Sequence, residues 1–190
     1  MKISKSKIVS SALFLGLLTS SLPSFKNNNL MKANASQGGI EFKWDSYDGY
    51  KKLRYLQSSD IKMDRASYFL FITRRQRRNS ILKLTLQYPN YFNAKLKPNK
   101  FKLCQVSMGN LSRKTRCLKY IDAKVTISKD QTKVDIIPNT PIPVDKKNYA
   151  VLMKIFNPTR SGMFEISAYS QSTLDVPISS YLGTWTIAIR

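Results

Sequence analysis

Two arms of alternating apolar and polar residues, separated by a Pro/Gly segment, do most to constrain the fold of this chain. They span residues 149–169, YAVLMKIFNPTRSGMFEISAY. In the second arm Phe164 and Ile166 share one face while Glu165 and Ser167 share the other, which is the period-two pattern of a strand with one face on a core. The pattern predicts a buried hairpin, so we expect this stretch to lie inside a β domain.

The rest of the chain contains further short strands at turn-like spacings. Residues 68–72 (YFLFI) are apolar on both faces, as in an interior strand of a two-layer fold, and residues 82–87 (LKLTLQ) then alternate, with Leu82 and the two following leucines on one face. We expect these two strands to form a hairpin connected by residues 74–79. Other strands are predicted at residues 40–44, 101–106, 115–121, 124–128, 132–137 and 182–190, and a single helical turn at 90–95.

This arrangement predicts the fold class. Roughly eight or nine short strands, without a convincing amphipathic helix after the first residues, favour an antiparallel, immunoglobulin-like β-sandwich. A small barrel is the alternative.

The beginning of the chain resembles a secretory signal. Lysines precede an apolar run at residues 8–18, which is too short to span a bilayer as a helix. The A-x-A pattern at Ala33 predicts cleavage after Ala35, and a cut near residues 20–21 is the alternative. We therefore expect residues 1–35 to be a signal peptide, 36–62 a polar lead-in and 63–190 one β-sandwich domain.

The predicted product is exported to the periplasm, the outer cell surface or the medium. No later apolar stretch approaches the length of a transmembrane helix, so we expect the mature chain to be soluble or peripherally bound. Its cysteines, Cys104 and Cys117, lie on adjacent predicted strands, and in an oxidising compartment they should form a disulfide. A redox or nucleophilic thiol is the alternative.

A strong basic excess narrows the class of partner. The chain has 32 Lys and Arg against 11 Asp and Glu, a net charge of +21, and no acidic residue lies between Asp64 and Asp122. Such a field attracts phosphate, sulfate or uronate polymers, anionic lipid headgroups or nucleic acid.

The basic residues include one dense arginine cluster in the connection at residues 74–79. Guanidinium groups bind phosphate, sulfate and carboxylate groups bidentately, although a solvated turn that prevents edge-to-edge aggregation would have the same sequence. In the following loop lysines interleave with aromatic residues, a mixture that either stacks on sugar rings or anchors a basic loop. The predicted ligand-binding residues are Arg74, Arg75, Arg77, Arg78, Lys95 and Lys97.

Catalysis has little support in the sequence. The chain contains no histidine, which removes the usual general base and the commonest metal ligand. It also has no Gly-rich phosphate loop and no Cys-x-x-Cys motif. We predict no catalytic residue, no metal and no cofactor.

Residues 157–169 (NPTRSGMFEISAY) and 181–189 (YLGTWTIAI) contain an Asn-Pro step, a Ser-Gly step and a Leu-Gly step that enters the last strand. With residues 66–106 as the opening strands, they resemble an exported cyanobacterial family of unknown function, a short secreted β-domain. The chain departs from that family where TRRQRR replaces a neutral first turn, and at its Ile189-Arg190 end. The resemblance implies fold and compartment, and no particular chemistry.

These observations predict a non-enzymatic exported domain that binds an anionic envelope component through its basic connection. The expected partners are anionic polysaccharide, lipopolysaccharide or an acidic surface protein. Nucleic acid is disfavoured, and peripheral contact with a membrane is left open. The alternative is a structural subunit of a cell-surface assembly, in which the charge only supports solubility.

Overall fold

Most strands of the protein divide between two five-stranded antiparallel sheets. The computed structural model describes residues 34–36, 39–41, 50–110, 112–172 and 179–190. In chain order the strands are β1 (Asn34–Ser36), β2 (Gly39–Glu41), β3 (Tyr55–Gln57), β4 (Arg65–Ile72), β5 (Ile81–Gln87), β6 (Phe101–Ser107), β7 (Arg116–Ile121), β8 (Ala123–Ile127), β9 (Lys133–Pro138), β10 (Asn148–Phe156), β11 (Gly162–Ser172) and β12 (Ser179–Ile189). Short 3-10 turns lie at Arg74–Gln76 and Pro98–Lys100.

The sheet orders confirm the predicted sandwich. One sheet runs β3-β4-β10-β6-β7 and the other β12-β11-β5-β9-β8, while β1 and β2 pair with each other. The strands of these two layers do not form the single closed barrel that the sequence left open. No helix among the described residues has the length and apolar character needed to cross a membrane.

The core lies between the two sheets, where the inward-facing side chains of one sheet pack against those of the other. Trp185, Tyr68 and Phe164 are among the largest fully buried side chains. The Trp185 indole donates a hydrogen bond to the Arg54 carbonyl oxygen (3.0 Å), so its polar atom is satisfied inside the layer. Each buried Leu or Ile here contributes about 1.5–3 kcal/mol relative to an exposed one.

The two connections predicted to be hairpin turns, after β4 and after β10, cross between the sheets. β4 pairs with β3 and β10, whereas β5 pairs with β9 and β11. Likewise β10 lies in one sheet and β11 in the other. Both hairpin predictions are therefore wrong, because alternation reports which face of a strand is buried and not which strand it pairs with. β8 and β9, by contrast, do pair with each other as an antiparallel hairpin.

These crossings lie at opposite ends of the sandwich, and we call them the arginine arch (residues 73–80) and the Asn157 arch (residues 157–161). β4 and β10 are antiparallel, with Ile72 paired to Tyr149 at one end and Arg65 paired to Phe156 at the other. The arginine arch follows Ile72 and the Asn157 arch follows Phe156. The nine residues of β10 separate the arginine end from the Asn157 end by about 30 Å.

Part of the predicted lead-in belongs to the sandwich. Leu53 is buried in the core, and β3 pairs with β4. The Thr184 amide donates to the Lys51 carbonyl (2.7 Å), and the Leu53 amide donates to the Thr184 carbonyl (2.8 Å), so this segment covers the edge of β12. The predicted strand at 40–44 overlaps β2 and otherwise lies outside the described residues, as do residues 1–33 of the predicted signal.

The Leu-Gly step of the sequence lies inside β12, at a bulge that requires a glycine. The β11–β12 register shifts between Ala168 and Tyr169, and Gly183 at this bulge has φ +146°. A Cβ atom there would lie 2.4 Å from the Lys51 carbonyl oxygen. Only glycine permits both the backbone conformation and this close approach.

Two smaller predictions are also wrong. Leu82 is 40% exposed, because the β5–β11 register passes from Lys83 directly to Ile81 and this bulge reverses the alternation. Residues 90–95 form no helix. The Phe92 amide donates to the Pro89 carbonyl (2.9 Å) in a turn, and the 3-10 turn comes later, at Pro98–Lys100.

Candidate functional site

The arginine arch has a defined backbone shape. Its 3-10 turn at Arg74–Gln76 is closed by hydrogen bonds from the Gln76 amide to the Thr73 carbonyl and from the Arg77 amide to the Arg74 carbonyl (both 3.1 Å). The Gln76 side chain accepts a hydrogen bond from the Thr73 amide (2.9 Å). This turn leaves Arg74, Arg75 and Arg78 exposed.

Arg77 is the exception, because it is only 2% exposed. Its guanidinium donates to the carbonyl oxygens of Pro143 and Lys147 and to both the backbone and the carboxylate of Asp145, the latter at 3.2 Å. It also lies 4.5 Å from the centre of the Tyr149 ring. The prediction that all four arginines contact a ligand is thus corrected at Arg77, whose hydrogen bonds anchor the arch to residues 143–147.

Of the two titratable groups that contact Arg77, the Asp145 carboxyl is held in its charged form and the Tyr149 hydroxyl in its neutral form. Burial, and then the hydrogen bond to Asp145 (2.9 Å), raise the pKa of the Tyr149 hydroxyl to about 12. Desolvation acts to raise the pKa of the Asp145 carboxyl, but hydrogen bonds from Tyr149 and Arg77 outweigh it, and the pKa is lowered. The Asp145 carboxyl beside Arg77 is therefore ionised at neutral pH.

Two of the exposed arginines line a cleft of about 380 Å³ beside the arch, which we call the arginine cleft. Arg75 and Arg78 are joined there by Lys51 from the segment that covers β12. No carboxylate belongs to the described lining residues, nor do Arg75 and Arg78 form an ion pair with any described acid. The other lining residues are Gln76, Asn79, Ser170, Ser172, Ser180, Tyr181 and Leu182.

This composition suits the binding of an anion that carries hydroxyl groups. Guanidinium and ammonium groups attract and hydrogen-bond an oxyanion, and the serine hydroxyls both donate and accept hydrogen bonds. The Tyr181 hydroxyl shares a hydrogen bond with Thr184 Oγ1 (2.6 Å), which fixes the ring at the edge of the cleft.

Beyond Tyr181 the outer face of the same sheet is polar. The Tyr181 and Tyr169 rings lie 5.6 Å apart, and Tyr169 pairs in register with Thr85. Asp135 accepts a hydrogen bond from the Thr85 hydroxyl (2.6 Å) and forms an ion pair with Lys83 (2.9 Å), so this carboxylate is paired with a cation.

Lys95 and Lys97 do not lie near this cleft. Both are exposed, in the loop that follows β5, and β5 runs from the arginine arch toward the other end of the sandwich. The Thr159 amide donates to the Asn93 side chain (3.1 Å), which ties this loop to the Asn157 arch. The predicted set of six ligand-binding residues is thus divided between the two ends.

The predicted disulfide is confirmed. Cys104 on β6 and Cys117 on β7 are bonded, with their Cα atoms 5.7 Å apart. Cys104 is fully buried in a second, small apolar cluster with Phe71, Val106 and Ala150. The disulfide joins two neighbouring strands and leaves no free cysteine in the described chain.

The sequence matches the model of a protein family over residues 42–189, and that family is described as "Protein of unknown function (DUF2808)". The chain belongs to this family. The match confirms the predicted relationship to a family of unknown function. No curated protein matches this DUF2808 sequence.

Solved structures similar to this DUF2808 protein include domains of bacterial adhesins. The collagen-binding domain of a Staphylococcus aureus adhesin is 9% identical, with a TM-score of 0.42 over 73% of this chain and 96% of that one. The collagen-binding subdomain of the Enterococcus faecalis surface protein ACE is 12% identical, with a TM-score of 0.43 over 75% and 99%. Collagen binding is a property of those proteins.

Several residues of the cleft were not predicted from the sequence. Lys51 lies in the predicted lead-in, and Tyr181 lies in the stretch that carries the family resemblance. The serines do carry a signal, because Ser170, Ser172 and Ser180 fall in a hydroxyl-rich stretch that interrupts the apolar alternation. That stretch could have been combined with the arginine cluster only if the crossing between sheets had been known.

Proposed function

We propose that this DUF2808 protein binds an acidic polysaccharide of the cell envelope through the arginine cleft. The observation that carries the proposal is the convergence of Arg75, Arg78 and Lys51 around one cleft whose described lining includes no carboxylate. Three cations held together repel one another, and a bound polyanion would relieve that repulsion. The arch that presents the two arginines is anchored by buried Arg77, so little ordering would accompany binding.

Three features favour a polysaccharide over other anions. The cleft combines its cations with serine hydroxyls and with the edge of Tyr181. Hydroxyl groups and aromatic faces suit a sugar ring, which has polar edges and apolar C–H faces. The adjoining polar face with Tyr169 would accommodate further sugar units, so the ligand would be a chain with uronate, sulfate or phosphate substituents.

We further propose that the protein acts outside the cytoplasm and without catalysis. The Cys104–Cys117 disulfide is typical of an oxidising compartment. A chain without histidine lacks the commonest general base. A binding role uses the cations and hydroxyl groups of the cleft and requires no general base.

The test compares two variants that lose the same charge at opposite ends. Arg75→Gln with Arg78→Gln removes both cleft guanidiniums, and Lys95→Gln with Lys97→Gln is the matched control. Hydrogen bonds to charged groups contribute about 1.5–3 kcal/mol each, so we expect the arginine variant to bind a polyuronate roughly 100-fold more weakly. On heparin and polyuronate columns it should elute at clearly lower salt than wild type, while the lysine variant elutes close to wild type.

Arg77 is left unchanged in this test, because its removal would disturb folding. Equal shifts in both variants would mean that only the overall charge matters, and would contradict the cleft proposal. Unchanged retention of the arginine variant would favour the alternative function, a structural subunit of a cell-surface assembly. Such a subunit should oligomerise, so its mass in solution should rise with protein concentration.

A further inference from the structure

The Asn157 end exposes large apolar side chains on a short turn between β3 and β4. Ile61 is 57% exposed and Met63 is 64% exposed. Phe156, where β10 ends, is 59% exposed. Side chains of this size at such exposure are unusual when several lie close together, and they commonly mark an interaction surface.

The turn that carries them is held rigidly. Its backbone is hydrogen-bonded from the Asn157 side chain to the Ile61 carbonyl (2.7 Å), from the Lys62 amide to the Arg190 carbonyl (2.8 Å) and from the Met63 amide to the Pro158 carbonyl (3.2 Å). The apolar side chains are therefore displayed by an ordered segment and not by a loose loop.

Met63 adopts a backbone conformation that its side chain disfavours. Its φ is +59°, in the left-handed region where glycine or asparagine would be favoured. Strain of this kind persists when the surrounding structure enforces it, and it is concentrated at functional sites. The Met63 side chain is mostly exposed in the free protein, so it is available for contact with something outside the chain.

Cations surround these apolar side chains. The Arg65 guanidinium lies 5.3 Å from the centre of the Phe156 ring. Among the described acids of the turn, Asp60 is paired with Arg190 (2.7 Å), and Asp64 accepts a hydrogen bond from the Arg65 amide (2.7 Å). Exposed basic residues at this end include Lys62, Arg65, Lys95, Lys97 and Arg160.

We propose that the Asn157 end is a membrane-contact surface that binds the headgroup region of an anionic lipid bilayer, with Ile61 and Met63 inserted. Narrow apolar insertion combined with several cations is the arrangement by which proteins bind an anionic lipid surface reversibly. A second copy of the chain or a protein partner would instead require a broad complementary face. This proposal is independent of the arginine cleft, which lies at the other end.

The test is co-sedimentation of the disulfide-bonded chain with phosphatidylcholine vesicles, with and without phosphatidylglycerol. We expect wild type to bind the anionic vesicles, to bind the neutral vesicles more weakly and to be released as salt screens the cations. Ile61→Ser with Met63→Ser should weaken binding at least about tenfold, because two apolar side chains no longer leave water. Val144→Ser is the control, since Val144 is 51% exposed near the arginine end, and it should bind like wild type.

A second variant separates this role from a structural one. Met63→Gly removes the apolar side chain and also relieves the positive φ, so the melting temperature should stay the same or rise while vesicle binding falls. The proposal is overturned if wild type binds no anionic vesicles, or if Met63→Gly and the double serine variant bind as wild type does. If the variants instead lose a self-association that wild type shows in the absence of lipid, and still bind vesicles, the occupant of this surface is a second copy of the chain.

Discussion

The arginine arch and the Asn157 arch both connect the two sheets, but they are anchored by different residues. Each carries the chain from one sheet to the other, and each is fixed by one buried polar side chain, Arg77 at 2% exposure and Asn157 at 3%. Arg77 donates to the carbonyl oxygens of residues 143–147. Asn157 donates to the Ser59 and Ile61 carbonyl oxygens and accepts from the Tyr68 hydroxyl.

The difference between the anchors is one of charge. Arg77 brings a full charge into the fold and requires the Asp145 carboxylate beside it, whereas Asn157 is neutral and needs only hydrogen bonds. The surfaces above the anchors differ as well, since one end presents guanidinium groups around a cleft and the other presents apolar side chains among cations. The basic composition therefore conceals two chemically distinct surfaces.

The largest expected effect is at the charged anchor. Arg77→Met leaves Asp145 and several carbonyl oxygens without their donor, and breaking a buried ion pair in this way costs about 3–5 kcal/mol. Urea unfolding should show that loss in the free energy of unfolding. Arg78→Met, one residue away and exposed, should change it by less than about 0.5 kcal/mol. Similar effects of the two substitutions would mean that Arg77 is not an anchor.

A smaller loss is expected at the neutral anchor. Asn157→Ala removes the donors to Ser59 and Ile61 and the acceptor of the Tyr68 hydroxyl, and we expect the free energy of unfolding to fall by about 2–3 kcal/mol. Tyr68→Phe removes only one of these bonds and should cost about 1 kcal/mol. If the alanine variant costs no more than the phenylalanine variant, the bonds to the turn do not stabilise it.

The smallest expected effect is the pH dependence that only the charged anchor introduces. The pKa of Asp145 is lower in the folded protein than its ordinary value, which is about 3.9. Its contribution to stability is thus present above that pH and is lost as pH falls through the lower folded value. Urea midpoints should decline below about pH 4, and less steeply in Asp145→Asn, which lacks the Asp145 contribution. The contribution of Asp135 to stability is lost equally in both proteins, so it does not affect the comparison. Parallel curves would contradict this assignment.

The sequence was sufficient for most of the strands, although not for β3, and insufficient for two of the predicted pairings. Alternation placed Phe164 and Ile166 on the buried face correctly, and adjacency placed Cys104 beside Cys117. The same alternation could not tell a hairpin from a crossing, since a strand that buries one face looks alike in either arrangement. Leu82 was misplaced for a related reason, because a bulge reverses the alternation without any mark in the composition.

The candidate site was predicted in part. The arginine cluster was found by its composition, but nothing in TRRQRR distinguishes the buried Arg77 from its exposed neighbours. That distinction depends on Asp145 and the carbonyl oxygens beside it, which lie far along the chain. Lys95 and Lys97 were grouped with the arginines by their proximity in sequence, and β5 separates them in space.

The crossings also determine when this chain can fold. β4 pairs with β10, the central strand of its sheet, and β5 pairs with β11. Strands from the first half of the chain therefore cannot complete their pairing until the last third has been synthesised. Such long-range pairing makes folding slow, on the order of milliseconds to seconds. A ribosome adds about 5–20 residues per second, so β4 and β5 must remain without these partners for several seconds during synthesis. That interval leaves the chain unfolded long enough for chaperones or a translocation channel to engage it.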